Sequence, residues 1–136
     1  AQEPGHERRH RERRMSMRFR KAERNGKLCA VVESDEKAIT DVQSALDLLA
    51  SADYDVGTNN IAISKKLITD EFFILSTKLA GEILQKFTNY RTRIAIYGDF
   101  SEYTSKALKD FTYESNKGNS VFFVLTEDEA VERLTR

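Results

Sequence analysis

One cysteine, Cys29, is all the 136-residue chain carries, so an intrachain disulfide is excluded. Histidine is nearly as scarce. Its two copies, His6 and His10, both lie among the first ten residues, leaving the body without an imidazole for acid–base work near neutral pH. Their four-residue spacing suits one helix face, yet no cysteines or carboxylates at zinc-site spacing accompany them, and they are expected to be solvated. Glycine-rich phosphate loops are missing too, since Gly26, Gly57, Gly81, Gly98 and Gly118 are isolated singles. Apolar runs extend to only about five residues, against roughly 20 for a bilayer span. No charged segment followed by an apolar core and a small-residue cleavage site is present. The expectation is a cytoplasmic chain without membrane span, cofactor or metal.

At 40% hydrophobic residues the chain can close one core but hardly two. Its zero net charge is a sum of unequal parts: residues 1–24 hold nine Arg and Lys against four Asp and Glu, and the remainder is net −5. Arg8, Arg9, Arg11, Arg13 and Arg14 form a basic arm too poor in apolar residues to build a core. Residues 1–16 therefore read as a disordered arm or leader, and residues 17–136 as a single domain. A nucleic-acid role for the arm, by phosphate neutralisation, is the less favoured reading.

Met17 to Lys21 alternates apolar with basic residues, Asn25-Gly26 suits the positive φ angles of a type I′ turn, and Lys27 to Glu33 follows as a second strand. Ile61 to Ile63, Arg93 to Tyr97 and Ser120 to Leu125 are short unbroken apolar runs of the kind buried on both faces of a parallel sheet. Between them lie helical patterns: 35–52, capped by Ser34 or Asp35; a second beginning near Thr69 or Ser76 and carrying Ile83, Leu84 and Phe87; and a third over 103–116, stopped by Gly118. Thr126 and Glu129 make a capping box for a fourth that presents Ala130, Val131 and Leu134. The fold class that follows is α/β: an N-terminal β-hairpin, then alternating helix–strand units, in a mixed, mostly parallel five-stranded sheet with about four helices.

That order resembles the STAS domain of bacterial anti-sigma-factor antagonists. The block Phe72-Phe73 through Leu79-Ala80-Gly81-Glu82-Ile83-Leu84-Gln85-Lys86-Phe87, with Tyr90-Arg91, Gly98-Asp99-Phe100-Ser101, Tyr103-Thr104-Ser105-Lys106 and Asp110-Phe111, is similar to a bacterial family known as domain of unknown function 4180. The second resemblance implies no established activity. The STAS resemblance implies regulation through a protein partner, with a phosphorylatable hydroxyl at the start of the second helix. The matching segment here is Leu75-Ser76-Thr77-Lys78-Leu79, which lacks the aspartate and glycine of the antagonists' Asp-Ser-Ser-Gly type motif.

Ligands of parallel α/β sheets tend to bind beyond the carboxyl ends of strands. The candidate contact residues are accordingly Ser76, Thr77 and Lys78 before the second helix, and Asp99, Phe100, Ser101, Tyr103, Thr104, Ser105 and Lys106 after the fourth strand. Plain duties compete for the same residues, because Ser101 or Thr104 would serve as an N-cap and Asp99 would tie down its loop. Two readings also stand for the aromatics of the second half. They fill the core on both sheet faces, or Phe72, Phe73, Phe100 and Tyr103 stand exposed as an anchor patch. Cys29, in an apolar strand, is read as a core residue. The favoured function is a regulatory or protein-interaction module, with a homodimer as one possible pairing. The alternative is a small-ligand-binding protein or enzyme using Asp99, neighbouring hydroxyls and carboxylates drawn from Glu71, Glu82, Glu102 and Asp110.

Overall fold

In the computed structural model, residues 17–136 are described; the basic arm and both histidines lie outside them. A hairpin opens the domain, β1 (Met17–Arg24) pairing antiparallel with β2 (Lys27–Ser34). Its turn uses positive φ at both central residues, Asn25 (57°) and Gly26 (75°), as a type I′ turn demands. Then follow α1 (Val42–Asp55), β3 (Asn60–Ser64), three short 3-10 turns between Lys65 and Thr77, α2 (Leu79–Asn89), β4 (Arg93–Tyr97), α3 (Lys106–Lys117), β5 (Val121–Val124) and α4 (Glu127–Leu134). The strands lie side by side in chain order, and every pairing after the hairpin is parallel.

This order decides where the helices go. Right-handed crossovers that always step in the same direction across a sheet deposit their helices on the same face. One core accordingly joins Ala30, Val32, Ile61, Ile63, Ile94, Ile96 and Phe123 of the sheet to Ala45, Leu48, Ile83, Phe87 and Leu108 of α1, α2 and α3. The alternate strand residues point the other way. There Cys29, Val31, Ala62, Ala95 and Phe122 pack with Ala130, Val131 and Leu134 of α4, flanked by Ala22, Tyr97 and Val124. A helix of eight residues can cover this face because the central side chains beneath it are small. Exposed ion pairs link α4 to β1, Arg20 to Glu127 at 2.7 Å and Arg24 to Asp128 at 2.6 Å. Water screens such exposed pairs, whereas a buried Val or Leu contributes about 1.5–3 kcal/mol, so apolar contact carries the docking.

The helices α1, α2 and α3 each begin later than their periodicity suggests, α1 by the widest fixed margin. Residues 35–41 do not join α1: Ile39 forms a parallel bridge with Ile68, its N–H donating to the Leu67 carbonyl and its carbonyl accepting from the Thr69 N–H. The cap is therefore Asp41, which accepts from the Ser44 N–H at 2.8 Å, while the Ser44 hydroxyl accepts from the Asp41 N–H at 3.0 Å. Downstream, Gly118 ends α3 and Thr126 caps α4 as expected. Cys29 is wholly buried, and burial pushes its thiol up to about 11.

Two tests follow. Ala95→Leu would force three further carbons under α4 and should cost about 1–3 kcal/mol, read as a lower urea midpoint; an unchanged midpoint would mean that the face is loosely packed. The Cys29 thiol should react with an aromatic disulfide reagent at pH 8 far more slowly in native protein than in urea. Because its folded value lies above the ordinary 9.0 of a free thiol, the protein should lose stability as pH rises from about 9 to about 11. Stability that is flat over that window in wild type relative to Cys29→Ala would contradict the assignment.

Candidate functional site

Parallel pairing brings the carboxyl ends of β3 and β4 to one edge, and each strand leaves by a loop rich in side-chain hydrogen bonds. Ser64 ends β3 and caps the first 3-10 turn, its hydroxyl accepting from the Lys66 N–H at 3.2 Å. Lys65 then reaches across to the loop after β4. Its ammonium donates to the Asp99 carbonyl, pairs with Glu102, and sits 4.8 Å from the centre of the Tyr103 ring and 5.7 Å from that of Phe100. Only 11% of the Lys65 side chain remains exposed, although its partner Glu102 is open to water. With its charge matched on several sides, this lysine acts as a strap rather than as a free cation.

The backbone is shaped to admit that strap. Gly98 adopts φ 151°, donates its N–H to the Val124 carbonyl at 3.0 Å, and leaves no room for a side chain: a Cβ there would approach the Lys65 Cγ to 2.7 Å. Asp99 accepts from the Ser101 N–H at 2.9 Å, and bonding to the Ser101 hydroxyl and amide holds its carboxyl below the usual range. The Tyr103 N–H donates to the Phe100 carbonyl at 3.1 Å, closing a further turn. The α3 cap is Ser105, accepting from the Leu108 N–H at 3.2 Å, and not Ser101 or Thr104. Lys106 pairs with Asp110 along the first turn of that helix.

Aromatic rings floor the loop. Phe73 stacks on Tyr103 at 5.1 Å and lies 6.0 Å from Phe100, which meets Phe123 edge-on at 5.7 Å; Phe111 and Phe72 extend the cluster. Phe72 and Phe73 are buried, at 1% and 3% exposure, and Phe100 and Tyr103 are half-buried. Of the two readings offered for the aromatics, core filling holds for Phe72 and Phe73, and Phe100 and Tyr103 are partly covered by them. Six neighbouring rings contact one another in stacked, tilted and edge-to-face pairs, a gain that exposure would forfeit. The exposed large apolar residues are Tyr54, Ile74, Tyr90, Tyr113 and Leu125, of which Ile74 borders the approach to α2.

On that approach Leu75–Thr77 forms a 3-10 turn, Lys78 takes the left-handed conformation at φ 67°, and α2 starts only at Leu79. The Thr77 hydroxyl donates toward the Ile74 and Glu71 carbonyls, at 2.8 and 2.9 Å, and accepts from the Leu79 N–H at 3.3 Å. It is a structural cap. Ser76 and Lys78 are exposed beside it. The two hydroxyl-bearing stretches thus reach the same sheet edge and are joined beneath the surface by the stacking of Phe73 on Tyr103.

Chemically the edge is quiet. Among the described residues no group of three or more His, Cys, Asp or Glu could hold a metal ion. Of the carboxylates considered for acid–base work, Asp99 is bonded to Ser101, Glu102 is paired with Lys65 and Asp110 with Lys106, while Glu71 and Glu82 face solvent. The basic cluster of Arg93 and Arg133 at the opposite sheet edge escaped the sequence reading, because its members are far apart in the chain.

The strap predicts a specific sensitivity. Gly98→Ala should cost about 2 kcal/mol by urea denaturation, combining a disfavoured φ with a clash against the Lys65 stem. Pairing it with Lys65→Ala removes the obstructing stem, so the two losses should sum to less than additive. Strict additivity would show that the glycine serves φ alone.

No curated protein matches the chain. A solved structure described as a putative anti-sigma factor antagonist from Thermotoga maritima is similar over 87% of this chain and 95% of its own, at 13% identity and a TM-score of 0.43. Over residues 24–134 the chain matches the family described as Domain of unknown function (DUF4180), and it belongs to that family.

Proposed function

We propose that the domain works by binding a protein partner through the carboxyl edge of its sheet, without turning over a substrate. The contact surface comprises Ser76, Thr77 and Lys78 with Asp99, Phe100, Ser101, Tyr103, Thr104, Ser105 and Lys106. One observation carries this reading: Lys65 and the ring cluster fill the space under the 98–105 loop, so the strand ends offer a braced outer surface in place of a recess. Substrates need a concave site that excludes water. Two hollows of the described surface lie away from this loop, one lined by Met17, Ala50, Ser51, Tyr54 and Asp55 and another by Lys27, Arg93 and their neighbours.

The surface suits a protein for a second reason. Its outward groups are hydroxyls, one carboxylate and two lysines over a half-buried aromatic base, a mixture typical of a polar interface rim around ring contacts. A braced loop also loses little conformational entropy on docking, which favours affinity. An enzyme or small-ligand role through Asp99 is disfavoured, since that carboxylate is already engaged by its own loop.

Affinity capture from the native host with the wild-type domain and Ser101→Arg provides the test. A protein retained by wild type and lost with the variant, at equal thermal stability, is the expected result. Identical captured proteins for both would reject this surface as the contact.

A further inference from the structure

The amino-terminal edge of the sheet carries a feature of another kind. An open groove of about 280 Å³ is lined by Lys27, Arg93, Gly118, Asn119, Phe122, Arg133 and Arg136. Four of these seven residues are cationic. Arg136 pairs with Glu132 at 3.0 Å, whereas neither Arg93 nor Arg133 forms an ion pair with a side-chain carboxylate of the described residues.

Neutral acceptors hold the two central guanidinium groups instead. Arg93 donates to the Asn119 carbonyl and side chain at 2.9 and 3.0 Å and to the Leu134 carbonyl at 3.1 Å, with Asn60 further off at 3.4 Å. Arg133 donates to the Asn116 carbonyl at 2.8 Å. Both lie over the Phe122 ring, Arg133 at 4.3 Å and Arg93 at 5.6 Å. Lys27 donates to the Arg136 carbonyl. Carbonyl oxygens and a ring fix the direction of a guanidinium without cancelling its charge. The Arg93 and Arg133 charges are therefore oriented, partly shielded from water and held without a direct carboxylate partner, with Glu132 the nearby acid, although the described residues taken together carry a small excess of acid.

We infer that this groove binds a small phosphate-bearing anion. Guanidinium groups present forked donors that match phosphate oxygens, and the lysine adds a point charge at the groove mouth. Arg93 spends most of its donors on the fold and acts as a positioning residue with a long-range field. Arg133, Lys27 and Arg136 retain donors for the ligand. A volume near 280 Å³ suits a phosphate monoester or pyrophosphate. The site lies at the sheet edge opposite the proposed partner surface and does not depend on it.

Pyrophosphate titrated into the full chain, followed by calorimetry and by amide shifts at Gly118 and Asn119, tests the site. Arg133→Gln is expected to weaken binding roughly tenfold or more, since a charge-assisted bond is worth about 1.5–3 kcal/mol. Lys27→Gln, which alters only the groove mouth, should weaken it with the melting temperature unchanged. Parallel titrations with inorganic phosphate and with adenosine monophosphate separate a bare phosphate site, where the two bind alike, from a nucleotide site, where the second is tighter; either outcome supports the inference. It is overturned if pyrophosphate leaves the Gly118 and Asn119 amides unmoved, or if both variants bind as wild type does. A single-stranded oligonucleotide that binds in the groove when neither phosphate nor pyrophosphate does would also overturn it.

Discussion

A parallel sheet must be covered on both faces, and strands laid down in chain order send every crossover helix to the same one. The opposite face is left to whatever follows the last strand. Here that is the eight-residue α4, and its shortness dictates the chemistry beneath it. Cys29, Ala62 and Ala95 form a low floor on which Ala130, Val131 and Leu134 can settle closely, while the face toward α1, α2 and α3 takes isoleucines and phenylalanines. The inequality of the two cores is thus a product of connectivity, expressed residue by residue in the alternation along each strand.

The same connectivity divides the polar work between the two sheet edges. At the carboxyl edge the cationic group is spent internally: Lys65 is bonded, paired and stacked until little of it reaches water. At the amino edge Arg93 and Arg133 are bonded only to neutral oxygens and keep their full charge. One edge is braced and nearly neutral; the other is braced and positive. Cations held in these two ways have different uses, since a matched charge shapes a surface and an unmatched one attracts a counter-ion.

Much of this could be read from the residues. Unbroken runs such as Ile94 to Tyr97 announced doubly buried strands, Asn25-Gly26 announced its turn, and Thr126 with Glu129 announced the start of α4, because each signal is local. The α/β class, the hairpin and the parallel order follow from those signals and are what the structure has. Misreadings arose where a distant partner overrode a local pattern. Ile39 has helical spacing with Val42 and Leu46, yet bridges Ile68 and keeps residues 35–41 out of α1. Whether Phe72 and Phe73 fill the core or form an outer patch stayed open until the loop after β4 set Phe100 and Tyr103 against Phe73. Lys65 and the Arg93–Arg133 pair had no signal of their own, since a lysine after a strand or an arginine at its start is unremarkable until the fold sets a partner beside it.

The small-residue floor under α4 also bears on how the domain behaves when it opens. If the eight-residue helix comes away from the sheet, the side laid bare is Cys29, Val31, Ala62, Ala95 and Phe122. Around Phe122 the alanines and the cysteine offer less adhesive surface than the isoleucines of the opposite side would. With most of the bulky residues on the side held by three helices, a partly opened chain exposes less that could stick to its neighbours.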